Sequence, residues 1–245
     1  MKDNFSHAAA EYAQYRPTYP ANLFKFILSY VKEKTLAWDC GTGNGQSAGV
    51  LSNYFKKVFA TDISQAQINN AHKEINIKYA LEPAEKTSLA NNCVDLITVA
   101  QAIHWFNFQS FYAEVNRVAK PGAVIAVWTY SLLYISEEID LIINEYHYKT
   151  LETFWDPERK YVDDGYAFIP FPFTEIKTES CSIEVNWTLE ELHGYFNTWS
   201  ALKKFIAANS FNPVPALMNK IKTHWGSLNN RKIIFPVYLR LGTIK

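Results

Sequence analysis

The chain has 245 residues, about one and a half average domains, of which 48% are hydrophobic and 16% aromatic, enough for a sizeable core. Lys plus Arg and Asp plus Glu each number 24, so the formal net charge is zero, and no basic stripe offers itself to nucleic acid. Cys40, Cys93 and Cys181 are odd in number and far apart, which excludes a disulfide framework, and no histidine (His7, His72, His104, His147, His193, His224) has metal-ligand spacing.

In chain order, MKDNFSHAAAEYAQYRPTYP lacks the apolar centre of a signal peptide, and no uninterrupted apolar run approaches the ~18 residues of a membrane span. A cytoplasmic protein without membrane contact is expected. Pro20 opens a helix through ANLFKFILSYVK, with Leu23, Phe24, Ile27, Tyr30 and Val31 on one side. TLAW is the first strand, and a helix follows Gly45. KVFATD is the second strand, and Ser64 caps a helix in SQAQINNAHKEI. IKYAL and VDLITVAQ are the third and fourth strands. A helix spans FQSFYAEVNRVAK, then Pro121-Gly122 turns into a fifth strand, AVIAVWT. This alternation is the pattern of a parallel sheet wrapped by helices.

After Tyr130 the texture changes. SEEIDLIINEYHYKTLETFW reads as a helix, DPERKYVDDGYAFIPFPF as an aromatic loop, and TEIKTESCSIEVNW as a strand. TLEELHGYFNTWSALKKFIAA, capped by Thr188, and VPALMNKIKTHWGSL are helical, and KIIFPVYLRLGTI is a closing strand. Residues 1–130 are expected to form an N-terminal arm and a ligand-binding core, 131–230 a cap or insertion, and 231–245 a strand returning to the core sheet.

The stretch LAWDCGTGNGQSAG carries the main functional signal. Gly41, Gly43 and Gly45 follow a strand and open a helix, the position of a nucleotide-binding turn. A dinucleotide fingerprint wants a glycine at position 46, where this chain has Gln46, and Asp39 stands two residues before the first glycine. Both departures count against a pyrophosphate and suit a ligand that is cationic near the turn and carries no phosphate. S-adenosylmethionine, with its amino group and sulfonium, is such a ligand. Asp62 ends the second strand 21 residues after Gly41, where a carboxylate accepts ribose hydroxyls of this cofactor or of NAD alike. Ala84 and Glu85 are candidates for the adenine edge, and Ala100, Gln101 and Ala102 leave the fourth strand beneath the sulfonium.

The series DCGTGNG, ATDIS, AEKTSLANNCVDLI and AQAIHWF resembles the class I S-adenosylmethionine-dependent methyltransferases, and most closely the small-molecule enzymes of the trans-aconitate methyltransferase-like group. The resemblance covers about residues 35–130 and extends weakly through YAQYRPTYP, FWDPERKYVDDGY and YLRLGTIK. It implies a Rossmann-like α/β fold: seven strands, mostly parallel with the last antiparallel, helices on both faces, and here a helical cap. It implies cofactor contacts at Arg16, Asp39, Gly41, Thr42, Gly43, Gln46, Asp62, Ile63, Ala84, Glu85, Ala100, Gln101 and Ala102. It also implies that the arm around Tyr15 and Arg16 folds over the cofactor.

Several candidates have a plain structural reading as well. Asp39 also fits a buried acid satisfied by its neighbours, and Glu85 an exposed helix-start glutamate. Arg16 is a partner for the cofactor carboxylate, for an acidic substrate, or for a surface acid. His104 and Trp105 sit at the carboxyl end of the sheet as substrate-pocket candidates, His104 also as a general base. Phe154, Trp155, Tyr161, Tyr166 and Phe168 read as cap core, with Arg159 among them the candidate for a carboxylate. The expected function is methyl transfer from S-adenosylmethionine to a small molecule, a carboxylate oxygen by family analogy, in a monomer or homodimer. A nicotinamide-dependent oxidoreductase and a non-catalytic cofactor-binding relative are the alternatives.

Overall fold

The computed structural model describes residues 15–245. His7 and the start of the YAQYRPTYP arm, Tyr12 to Gln14, lie outside the described residues.

The strands β1 (Leu36–Cys40), β2 (Lys57–Asp62), β3 (Ile77–Leu81), β4 (Val94–Ala100) and β5 (Ala119–Tyr130) are all parallel where they pair. The helices between them are α1 (Ala21–Ser29) before β1, α2 (Gln46–Leu51), α3 (Gln65–Asn69) and α4 (Phe108–Val118). Ser64 caps α3 and Asn107 caps α4 through their side-chain oxygens. α1 and α3 are shorter than the sequence pattern suggests. Pro121 and Gly122 do not separate helix from strand: they sit in a register shift inside β5, with Gly122 in the left-handed region at φ +81°.

The chain continues through α5 (Glu137–Glu145), a π-helical turn at Tyr146–Thr150, α6 (Arg159–Asp163), β6 (Thr174–Ile176), β7 (Cys181–Thr188), α7 (Leu189–Asn197), α8 (Ser200–Asn209), α9 (Val214–Trp225) and β8 (Asn230–Thr243). The sheet order is β3-β2-β1-β4-β5-β8-β6, with β7 on β8 as well. β8 is antiparallel to β5 along Val237–Thr243, while β6 lines Leu241–Thr243 and β7 lines Asn230–Val237. β6 and β7 are two pieces of one interrupted strand, and the Thr178 hydroxyl bridges the gap to the Leu239 carbonyl at 3.2 Å. The fold is the expected mostly parallel α/β sheet with its last strand antiparallel, although the single strand expected over TEIKTESCSIEVNW is broken in two.

Side chains alternate across the sheet into two apolar layers. Ala37, Val58, Ala60, Leu96, Val124, Ala126 and Trp128 pack with α1, α2 and the helices α5, α7, α8 and α9. Trp38, Cys40, Phe59, Ile97, Val99, Ile125 and Val127 pack with α4 and with Val162, Tyr166 and Ile169 on the opposite face. The long helix expected from Thr188 is broken between α7 and α8, because Trp199 turns extended at φ −70°, ψ 129° and buries its ring among Tyr146, Tyr195 and Phe196. Among the described residues no helix is long and apolar enough to cross a membrane.

Candidate active site

The carboxyl ends of β1, β2, β4 and β5 open into a cleft, the place where α/β sheets of this kind hold small ligands. Its floor is the turn after β1. Gly41 lies at φ +67°, and a Cβ there would stand 2.6 Å from Ala102 Cβ; Gly45 lies at φ +78°, and a Cβ there would meet the Tyr79 hydroxyl. Neither position accepts a side chain, which is why the turn hugs the wall.

Of the candidate cofactor residues, Arg16, Gly41, Thr42, Gly43, Gln46, Asp62, Ile63, Ala84, Ala100, Gln101 and Ala102 line this cleft. Asp62 is oriented by two backbone donors, the N–H groups of Gly43 at 2.8 Å and Ser64 at 2.9 Å. Gln46 ties the arm down: its Oε1 accepts from Tyr19 N–H at 3.3 Å and its Nε2 donates to the Pro17 carbonyl at 3.4 Å. Arg16 donates to the Tyr130 hydroxyl at 3.1 Å and to the Thr198 carbonyl at 3.2 Å, with its guanidinium over the Tyr195 ring. The break between α7 and α8 is what frees that carbonyl.

Two candidates stand off the cleft. Asp39 is buried beneath the turn, where its carboxylate accepts from the hydroxyls of Thr42 and of Thr98, the latter at 2.7 Å. Burial pushes its carboxyl up to about 6, against the pull of those two hydroxyls. It therefore reaches the cleft through Thr42 rather than by contact. Glu85 accepts from Asn107 N–H at 2.9 Å and so anchors the start of α4. Besides Asp62, the acid on the cleft wall is Glu82, three residues before Glu85 and just past the end of β3, held by Ser88 N–H at 2.8 Å. Sequence reasoning missed Glu82, although the strand end was its signal, and missed Tyr19 and Tyr130, which line the cleft from the arm and from the end of β5.

A second chamber adjoins the first. Arg16, Gln101, Trp105 and Tyr130 line both; His104, Trp155, Asp156, Arg159, Tyr195 and Trp199 line only the second. The expected pocket residues His104, Trp105 and Arg159 therefore come together, while Tyr15 lines neither chamber and packs its ring on Gly194 of α7. His104 lies in a 3₁₀ turn, Ile103–Trp105, with Nδ1 2.7 Å from the Tyr166 hydroxyl. Burial, with the Arg159 charge nearby, pushes this imidazole down to about 3, so it is neutral at physiological pH. Arg159 gives Nε–H to Asp163 at 2.8 Å and stacks 4.7 Å from the Trp155 ring centre. Asp156 is paired with Lys204 at 2.7 Å.

The cradle suits S-adenosylmethionine. The close approach at Gly41 leaves bare backbone facing the ligand, and the Ser47 hydroxyl is buried on the cleft wall with no hydrogen-bond partner among the described residues. Comparisons with known proteins agree. Residues 38–127 match the methyltransferase domain family. A methyltransferase of Dictyostelium discoideum is 38% identical over 98% of this chain and 94% of its own length. An S-adenosylmethionine-dependent methyltransferase of Saccharomyces cerevisiae is 32% identical over 52% of this chain and 47% of its own. The solved structure of a type II methyltransferase from Anaeromyxobacter dehalogenans superposes with a TM-score of 0.86 at 35% identity, covering 93% of this chain and 97% of that one. This chain belongs to the class I S-adenosylmethionine-dependent methyltransferases.

Proposed function

We propose that the enzyme methylates a carboxylate oxygen of a small organic acid, with S-adenosylmethionine in the first cleft and the acceptor in the second chamber. The observation that carries this reading is the shared wall: Arg16, Gln101, Trp105 and Tyr130 face both spaces, so two ligands would meet there. The cofactor supplies a methyl group already activated by its sulfonium.

The protein's part is position and charge. Asp62, fixed by two N–H groups, would accept the ribose hydroxyls. Gly41, Thr42 and Gly43 would bring backbone against the cofactor, Ile63 and Ala84 would flank the adenine, and Ala100 to Ala102 would support the reacting end. Asp39, ionised at neutral pH beneath Thr42, favours a cation in the cleft and disfavours a phosphate across a poorly screened interior. Arg159 supplies the cation for the acid, and Arg16 faces both ligands at the junction. Trp105, Trp155, Tyr195 and Trp199 would exclude water from the transfer. A carboxylate acceptor is already anionic, so this chemistry asks no base of His104. The likeness to the trans-aconitate methyltransferase group supports an acid in the same way.

Calorimetric titration with S-adenosylhomocysteine and with NAD tests the first half. Tight binding of the former and none of the latter is expected, with Asp62→Ala weakening it by roughly 30-fold or more for the lost charged hydrogen bonds. Comparable NAD binding contradicts the reading. Mass spectrometry of a panel of acids, alcohols and amines tests the second half: methyl esters are expected, and methylation confined to amines or alcohols would contradict the acceptor assignment. Tight homologue binding with no methylation of any member would mark a non-catalytic relative.

A further inference from the structure

The second chamber is walled by rings. Among its described lining residues Trp105, Tyr130, Trp155, Tyr195 and Trp199 are aromatic, and Val162 alone is aliphatic. Its arginines are carried on those rings: the Arg16 guanidinium lies over Tyr195 at 5.2 Å from the ring centre, and that of Arg159 over Trp155 at 4.7 Å.

Trp155 is a fixed platform. Its Nε1–H donates to the His147 carbonyl at 3.2 Å, and the His147 imidazole stacks on it with ring centres 4.8 Å apart and planes 28° apart. Trp199 meets it at 5.4 Å and 53°. Arg159 is held in turn by this ring and by Asp163, which accepts from Nε at 2.8 Å. That bond uses the side of the guanidinium, and the two terminal nitrogens make no hydrogen bond to described residues. They form the end-on fork that takes both oxygens of a carboxylate in the plane of the guanidinium. In an arenecarboxylate the ring is conjugated with its carboxylate and shares that plane, so pairing with Arg159 carries the arene in among the rings. In a saturated acid the first carbon is tetrahedral, and the chain leaves the plane. Trp105 is the ring with room for a partner: among the described residues its ring meets only that of His104, at 4.9 Å and 45°, and it stands on the wall shared with the cofactor cleft.

We propose that the acceptor is an arenecarboxylate: its carboxylate is held end-on by Arg159, its ring packs among Trp105, Trp155 and Trp199, and Trp155 is the specificity-determining residue. This deepens the two-chamber reading above and rests on it. In the transfer a carboxylate oxygen forms the new bond to the methyl carbon as the carbon–sulfur bond breaks. The bonding pair stays on sulfur, the sulfonium and carboxylate charges cancel, and no proton moves. Stacked and edge-on ring contacts separate an arene from a saturated ring of the same size by about 10-fold. Intrinsic reactivity runs the other way, because an arenecarboxylate is the weaker base, so a lead for the arene reports on the site.

Titration with S-adenosylhomocysteine comes first and reports on the cofactor reading alone. With that homologue saturating, benzoate against cyclohexanecarboxylate, and 2-naphthoate against decahydronaphthalene-2-carboxylate, are titrated by calorimetry. Methylation of the same acids from S-adenosylmethionine is compared by kcat/KM. The arene is expected to bind more tightly, and to lead in kcat/KM by about 10-fold or more, in at least one pair. Trp155→Leu should cut that lead below about 3-fold and Trp155→Phe should keep it, each with homologue affinity within about twofold of the unaltered protein. Equal or reversed preference in both pairs overturns the proposal on the unaltered protein alone, whatever the folding of the variants, and leaves the acid reading standing. An undiminished lead in folded Trp155→Leu overturns the role of Trp155. No methylation of any acid by protein that binds the homologue overturns this proposal and the acid reading together.

Discussion

The first cleft and the second chamber are neighbours made in different ways. The cleft is made by backbone: strand ends, three glycines and the N–H groups that aim Asp62, most of it within residues 39–63 and 100–102. The chamber is made by side chains from Arg16, from 104–105, from 130–131, from 155–162 and from 195–200, which meet only after the whole chain has folded. The first arrangement suits a constant cofactor, because backbone geometry tolerates little change. The second suits a variable acceptor, because each wall can be exchanged without disturbing the sheet.

The sharpest way to break this contrast is Gly41→Ala. The added carbon would stand 2.6 Å from Ala102 Cβ on a backbone at φ +67°, so homologue binding is expected to fall more than about 100-fold, with roughly 1–3 kcal/mol of lost stability. Gly122→Ala is the matched control, since its φ is +81° but nothing lies within 4 Å; it is expected to lose about 1 kcal/mol of stability and no affinity. Equal binding by the two variants would remove the special status of the first turn.

Next comes the acid under the turn. Asp39 titrates at about 6 when folded against an ordinary 3.8, so the folded state binds this proton more tightly than the unfolded chain. Its contribution to stability is therefore most favourable at low pH and is lost as pH rises through the window from about 4 to 6. The loss amounts to about 3 kcal/mol at neutral pH. Denaturant unfolding of the unaltered protein and of Asp39→Asn should show their stability difference shifting by that order across the window; a constant difference would contradict a buried, desolvated carboxylate. In the second chamber, Arg159→Gln is expected to raise KM for the acid by roughly 10- to 100-fold while leaving homologue affinity within about twofold, the loss of a charged hydrogen-bonding partner. An unchanged KM would separate the acid from this arginine. The smallest effect belongs to the arm: Gln46→Ala removes two long hydrogen bonds, at 3.3 and 3.4 Å, and should speed homologue dissociation a few-fold, about 0.5–1 kcal/mol. Stopped-flow fluorescence reads this directly.

How far each region was legible in the sequence follows from how it is built. Gly41, Gly43 and Asp62 announce themselves because backbone turns restrict residue type at fixed spacing. Asp39 was legible as an acid with two readings, cofactor contact and buried acid: spacing gives the residue its place on the chain, and only the Thr98 hydroxyl from β4 shows which way it faces. Gln46 was read as a glycine withheld from a phosphate, whereas its amide also fastens Pro17 and Tyr19. Glu82 and Glu85 lie three residues apart around Pro83, and no periodicity says which one turns into the cleft. Tyr166 was read as cap core, and its ring is core; its hydroxyl, 2.7 Å from His104 Nδ1, is a contact that hydrophobic pattern does not register. The split of the expected helix at Thr198–Trp199 was hidden for a similar reason, since both halves are amphipathic and only tertiary packing of Trp199 interrupts them.

A crystal structure with S-adenosylhomocysteine bound tests the shared wall most directly. The expected result places the ribose at Asp62 and the sulfur beside Gln101 and Trp105, open to the chamber that contains Arg159 and His104. A sulfur turned away from that opening, or walled off from it by protein, would contradict methyl transfer between the two spaces.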